Sequence, residues 1–340
     1  MIKKWPCYNF PMKKLDFLAV GDIVVDAFIR LKDASVHCNV NRDGCELCMK
    51  FGDKIPFEFA EVISAVGNGP NAAVSAARLG LNSGILTDVG ADQNGKDCID
   101  SLKKDGVVTK FVRKHRGKKT NYHYVLWFED ERTILVKHEA FERVFEVPRK
   151  NPSWVYLTSL GENSIDYQLE LAKWLEENPE IKLAFQPGTF QMNAGFEKLG
   201  ALYRRANLFF CNVEEAKRIL KKDGEIKELL AGIHAIGPKI VVITDGPKGA
   251  YAFDGVDNWF MPPYPDPKPP YERTGAGDSF ASTFTAALAV GKTVAEALQW
   301  GPINSMSVVQ QIGAQRGLLS REKLEEFLKN APSDYQPRKI

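Results

Sequence analysis

The chain has 340 residues, 44% hydrophobic and 26% charged, the make-up of a water-soluble globular protein with enough apolar material for a large core. Its 45 basic and 43 acidic residues leave a formal net charge of +2, which gives no electrostatic case for nucleic acid or a membrane surface as partner. No run approaches the roughly 18 to 20 apolar residues of a membrane span, and Lys3, Lys4, Lys13 and Lys14 flank a polar stretch rather than a signal core, so a cytoplasmic location is expected.

Phe17-Leu18-Ala19-Val20 has the length and apolarity of a buried strand, and Gly21-Asp22-Ile23-Val24-Val25-Asp26 follows directly. A carboxylate at the C-terminal end of a strand can grip two sugar hydroxyls, so Asp26 is a candidate binding residue; the plainer reading is a turn acid. Residues 27 to about 64 are rich in charge, Cys and Gly, with no long helix. Cys38, Cys45 and Cys48 there leave three readings open: a structural zinc site completed by His37, His123 or His138, reduced thiols, or a redox switch. The six cysteines, at 7, 38, 45, 48, 98 and 211, do not look like a disulfide framework in a chain this long.

Gly67-Asn68-Gly69-Pro70-Asn71-Ala72 opens a helix that runs to about Leu79. Two glycines let the backbone approach a ligand closely, and Asn71 supplies a donor and an acceptor. Residues 107 to about 140 read as strand pairs, with 122–128 and 133–136 forming a hairpin, and the basic run 113–119 reads as a solvated hairpin or loop. Buried strands at 85–86, 154–157, 183–185, 208–210 and 240–243 alternate with amphipathic stretches at 167–177, 214–220 and 226–236. That alternation predicts an α/β fold with a mainly parallel sheet and ligands at the C-terminal ends of its strands.

Asn212 and Glu215, three apart at a helix start, have the pattern of a capping box. Thr244-Asp245-Gly246-Pro247-Lys248-Gly249 is a glycine turn at a strand end. After the stiff, proline-rich run 261–270 comes Glu272-Arg273-Thr274-Gly275-Ala276-Gly277-Asp278-Ser279-Phe280, leading into an apolar helical stretch over 281–290. Gly275, Ala276 and Gly277 carry no bulk, so their N–H groups can converge at the positive end of that helix and hold an anion. Asp278 in the first turn is placed to take a proton from a hydroxyl attacking a phosphoryl group. The pattern suggests phosphoryl transfer to an alcohol; the plainer reading is a helix cap.

The nonapeptide resembles the signature of the ribokinase-like (PfkB) carbohydrate kinases, usually Asp-Thr-Thr-Gly-Ala-Gly-Asp-Ser/Ala-Phe. The resemblance runs in order from about Leu15 to Leu328, through Asp26, 67–72, 89–107, Asn212-x-x-Glu215 and 244–249. It implies a three-layer α/β/α core with a small β-sheet lid: a kinase domain over 12–340, lid segments at 27–64 and 107–140, and an extension over 1–11. The implied reaction is ATP-dependent phosphorylation of a hydroxymethyl group of a sugar or sugar-like compound, with Asp278 as base and Gly275, Ala276 and Gly277 as anion hole. Asp26, Gly67, Asn68 and Asn71 would hold the substrate, and Asn212 and Glu215 would place Mg²⁺. Thr244, Gly246, Gly249 and Thr274 would line the triphosphate, with Asn304 and Gly313 near the adenine. The partners implied are a sugar or nucleoside and a second copy of the chain joined through the lid.

Two departures stand out. Glu272-Arg273 replaces Asp-Thr, where many members hold a monovalent cation, which puts K⁺ activation in question and makes Arg273 a candidate source of positive charge. Phe185-Gln186-Pro187-Gly188 stands where many members have Asp-Pro-Asn. The alternatives are a nucleoside kinase of the same fold, a non-catalytic sugar or nucleotide sensor, and an NAD-dependent oxidoreductase. The last rests on Gly67-x-Gly69-x-x-Ala72 with Asp88 as the ribose acid, and Pro70 inside the turn opposes it.

Overall fold

A computed structural model describes residues 3–4, 13–38, 44–129 and 131–340; apart from Lys3 and Lys4, the expected extension over 1–11 lies outside them. The elements run β1 (Lys3–Lys4), β2 (Phe17–Val20), β3 (Val24–Leu31), β4 (Ser35–His37), β5 (Glu46–Cys48), β6 (Phe57–Val66), α1 (Asn68–Arg78), β7 (Ser83–Gly90) and α2 (Gln93–Lys104). They continue with β8 (Val112–His115), β9 (Tyr122–Phe128), β10 (Glu131–Leu135), β11 (Glu146–Val147), β12 (Trp154–Leu157), α3 (Ile165–Glu177), β13 (Lys182–Phe185), α4 (Thr189–Arg205), β14 (Leu208–Asn212) and α5 (Val213–Leu220). The last are α6 (Ile226–Ala235), β15 (Ile240–Thr244), β16 (Ala250–Phe253), β17 (Asn258–Met261), α7 (Ala276–Ala289), α8 (Val294–Val308), α9 (Arg321–Lys329) and β18 (Arg338–Lys339).

The main sheet has the order β18-β17-β16-β15-β14-β13-β12-β2-β7-β8. Pairing is parallel from β15 to β8 and antiparallel from β15 out to β18. Its central strands are short apolar runs because both faces are covered. Phe17 and Ala19 of β2 point into a core shared with α1, α2, α7 and α8, while Leu18 and Val20 point into one shared with α3, α4, α5 and α6. The three-layer α/β architecture is therefore the expected one.

A second sheet, of order β10-β9-β3-β6, stands apart from the main one. Val112–His115 of the expected lid segment pairs with β7 in the main sheet instead. There Arg113 and His115 turn onto the buried carboxylate of Asp88, so the start of the basic run is a paired strand and not a solvated loop. β6 leads into the Gly67 turn but belongs to the small sheet, so that turn does not follow a strand of the parallel sheet, as a dinucleotide fingerprint requires.

The zinc reading of the cysteines is corrected. β4 pairs antiparallel with β5 in the register Ser35↔Cys48, Val36↔Leu47, His37↔Glu46, and one further step sets Cys38 across from Cys45. Those two form a disulfide and Cys48 remains a free thiol, so Cys38 and Cys45 are each other's partners rather than metal ligands. Among the described residues no group of three or more His, Cys, Asp and Glu is suited to a metal.

Candidate active site

The strands of the parallel sheet end together, and the chain direction on either side of β2 diverges toward β7 and toward β12, the kind of crevice where α/β sheets take ligands. Asp22 follows β2, Gln186 follows β13, and Asn212 and Thr244 close β14 and β15 at paired register positions. Above this edge α1 and α7 lie side by side through small residues, with Ser75 and Thr283 hydroxyls 3.4 Å apart. That close approach brings Asn71, in the first turn of α1, onto Asp278, in the first turn of α7: Asn71 Nδ2 donates to Asp278 Oδ2 at 2.9 Å. Gln186 Nε2 donates to Oδ1 at 3.3 Å.

Both donors are themselves held. Asn71 Oδ1 accepts from Gln315 Nε2 at 3.0 Å, and Gln186 Oε1 accepts from the buried Tyr156 hydroxyl. Asp278 lies deep in the molecule yet keeps part of its surface open. Burial pushes its carboxyl above the usual aspartate range, and the Asn71 and Gln186 hydrogen bonds pull the other way.

Gly275 caps α7 in a left-handed conformation, φ 79°. An added Cβ would lie 2.3 Å from that of Ala314, so both the turn and the close approach require glycine. Ser279 N–H donates to Gly275 O and Ala276 N–H reaches Arg273 O at 3.4 Å, leaving the Gly277 and Asp278 amides without intrahelical acceptors. A Cβ on Gly277 would meet nothing within 4 Å. This open end of α7 borders a cavity of about 220 Å³ whose walls include Thr244, Gly246, Gly249, Arg273, Ala276 and Gly277.

Other expected residues lie elsewhere. Asn304 is not on the cavity wall; it is fully buried, its amide bonded to Thr283 Oγ1 and its carbonyl to Leu319 N, while its neighbours Ser305 and Met306 face the cavity. Asn212 and Glu215 form the capping box, each side chain accepting from the other's backbone N–H. Burial raises the pKa of the half-buried Glu215, and the Asp278 charge adds to the rise. Asn68 is the first residue of α1, directly after Gly67. Gly67, φ 108°, would drive a Cβ to 2.9 Å from Asp22 O.

Thr274 N–H and Oγ1–H both donate to Glu272 Oε1, and Gly313 N–H donates to Oε2. The cation on Glu272 is Arg132 of β10, at 2.5 Å, whereas Arg273 lies on the cavity wall, where its charge acts on Asp266. The ribose acid of the dinucleotide reading, Asp88, is 1% exposed and occupied by Arg113, His115 and Arg143.

Asp26 carries a feature that one sequence could not reveal. It pairs in register with His123 of β9, their side chains 3.4 Å apart, and Asp26 Oδ1 and His123 Nε2 are buried with no hydrogen-bond partner. His138 faces His123 at 5.2 Å between ring centroids and Phe190 at 6.2 Å. Tyr156 and Gln315 have no motif around them, whereas Gln186 stands out in the sequence only as a departure from Asp-Pro-Asn, and His123 and His138 only as possible zinc ligands.

Residues 58–321 match the model of the pfkB family carbohydrate kinases. Ribokinase of Bacillus subtilis is 27% identical over 270 residues, 77% of this chain and 87% of that one. The ATP-dependent 6-phosphofructokinase of Thermoanaerobacterium thermosaccharolyticum is 25% identical over 329 residues, 90% and 91% of the two chains. Among solved structures, Arabidopsis thaliana ribokinase complexed with ribose and ATP superposes with a TM-score of 0.77 at 20% identity, covering 93% of this chain and 99% of that one. The nucleoside kinase of Methanocaldococcus jannaschii gives 0.76 at 20% identity, with the same coverage.

Proposed function

The chain belongs to the pfkB family of carbohydrate kinases, and from that premise we propose that it transfers the γ-phosphoryl group of ATP to a hydroxymethyl oxygen of a sugar or sugar-like acceptor, with Asp278 as general base. The observation that carries this reading is the position of Asp278. It is clamped by Asn71 and Gln186 on the acceptor side and sits one residue from Gly277, which borders the cavity proposed for the nucleotide. The acceptor hydroxyl gives its proton to the Asp278 carboxylate as its oxygen bonds to the γ-phosphorus and the bond from that phosphorus to the bridging oxygen breaks, releasing ADP, while the amides of Gly275, Ala276 and Gly277 stabilise the negative charge on the phosphoryl oxygens.

On the acceptor side, Asp26 Oδ1, which meets only the His123 ring at 3.4 Å, and His123 Nε2 are buried without hydrogen-bond partners, and such atoms call for a ligand's hydroxyls. With Asn71 and the close backbone at Gly67, they form the proposed grip on the acceptor. Phe190, 38% exposed beside His138, offers an apolar face for a sugar ring. ATP would lie along Thr244, Gly246, Gly249 and Arg273. Mg²⁺, when bound, would screen the phosphate charges; Glu215 is the carboxylate suited to hold it, largely through water.

The test is ADP release from MgATP over a panel of pentoses, hexoses, their acids and nucleosides, with Asp278→Asn alongside. Turnover of one compound, lost in the variant while ATP still binds, is the expected result. Binding of ATP with no turnover across the panel would favour a sensor, and turnover confined to nucleosides would favour a nucleoside kinase.

A further inference from the structure

The segment that begins the anion loop is tied to the small sheet by one charge. Glu272 is buried, its side chain 5% exposed, and it holds the start of the loop through the N–H and hydroxyl of Thr274 and the neighbouring turn through the N–H of Gly313. Those donors are neutral. The charge is met by Arg132, 140 residues away in sequence, on the edge strand β10. The small sheet also meets Tyr271, next to Glu272, and the Gly313 turn bonded to it: Trp127 of β9 packs edge-on against Tyr271 at 5.2 Å, and Ile63 of β6 lies where a Cβ of Gly313 would be.

We propose that Arg132 is a positioning residue, a latch that fixes Glu272 and, through Thr274, the Gly275–Gly277 turn only while the small sheet is docked. A carboxylate left in this setting without its guanidinium is strongly disfavoured. Turning outward to water would relieve it, and the Thr274 contacts would go with it, displacing the amides that face the phosphoryl group. The acceptor-side sheet and the anion loop are thereby coupled: the docked sheet completes the loop. This role in turnover rests on the reading of the reaction given above, but the latch itself does not.

The experiment compares Arg132→Gln and Arg132→Lys with the unaltered protein by amide hydrogen exchange over residues 272–279 without ligands, and by steady-state kinetics with the acceptor the panel identifies. Arg132→Gln is expected to speed exchange in that segment and to lower kcat by about 10- to 100-fold, the scale of a loop misplaced by an ångström, with KM for ATP little changed. Arg132→Lys keeps the charge and should stay near the unaltered protein, and millimolar guanidinium should restore part of the activity of Arg132→Gln. Unchanged exchange in Arg132→Gln overturns the latch, and so does a defect that neither lysine nor guanidinium relieves. If Arg132→Gln does not fold, adding Glu272→Gln removes the unpaired charge and should restore folding; failure of that double variant also overturns the proposal. No turnover with any acceptor counts against the reaction alone, because exchange still judges the latch.

Discussion

Asp278 is the residue where burial and chemistry pull in one direction. Its carboxylate is poorly solvated, so its pKa stands above the ordinary aspartate range, while Asn71 and Gln186 keep the charged form tolerable. In the role proposed for it, Asp278 must be unprotonated to act, and the acid limb of kcat/KM is therefore expected at higher pH than a solvated aspartate would give. Asp278→Asn should cost about 10²–10⁴-fold in kcat, the usual share of a general base, with ATP affinity nearly intact by calorimetry. The same shift has a stability consequence. A raised folded pKa gives stability that is complete below the unfolded aspartate value and is lost as pH rises through the folded one. Urea midpoints of the unaltered protein should fall across that window, and those of Asp278→Asn should fall less. Equal slopes for the two proteins would sink this account of the carboxyl.

At the scale of elements, the N-terminus of α7 separates two kinds of glycine. Gly275→Ala places a methyl 2.3 Å from Ala314 Cβ at φ 79°, so it should lower both stability and kcat. Gly277→Ala meets nothing within 4 Å and adds a helix former, so its melting temperature should be unchanged or slightly higher. Its methyl lies on the cavity wall, so the expected loss is in ATP binding, read as a raised KM for ATP with an unchanged thermal melt. The start of α7 was legible because small residues before an apolar run can mean few things. So were the central strands: the expected 154–157 and 240–243 match Trp154–Leu157 and Ile240–Thr244 closely, since a run covered on both faces can be little else. The helix over Thr189–Arg205 was missed because Gly195, at φ 67°, and Leu199 break its period. The disulfide was missed because only the β4–β5 register sets Cys38 opposite Cys45. Asn304 is expected near the adenine from its sequence, and a one-residue difference in helical phase puts its side chain in the core while Ser305 and Met306 face the cavity.

In the whole molecule, the small sheet is joined to the parallel one by charge as well as by packing; besides the more exposed pair of Arg316 with Glu61 of β6, two places carry that joint among the described residues. One is Arg132 on Glu272. The other is a buried web in which Arg143, on the segment leaving the small sheet, reaches Asp22 after β2 at 2.5 Å and Asp88 of β7 at 3.4 Å, while Asp88 also takes Arg113 and His115 of β8. Asp22 closes the web onto the strand ends by accepting from Gly161 N–H at 2.7 Å. Two carboxylates balance two guanidiniums there, so removing one carboxylate leaves excess positive charge on mostly buried side chains, Arg143 above all. Asp88→Asn is expected to cost about 3–5 kcal/mol in urea unfolding, and adding Arg113→Gln should return part of that loss because Arg113 is itself paired with Asp88. Asp88 lies within the web rather than among the residues proposed to touch ligands, so at a temperature where the variant is folded its KM values should stay near those of the unaltered protein. A variant that kept its stability but bound acceptor poorly would instead mean that the web orients the acceptor site through Arg143 and Asp22.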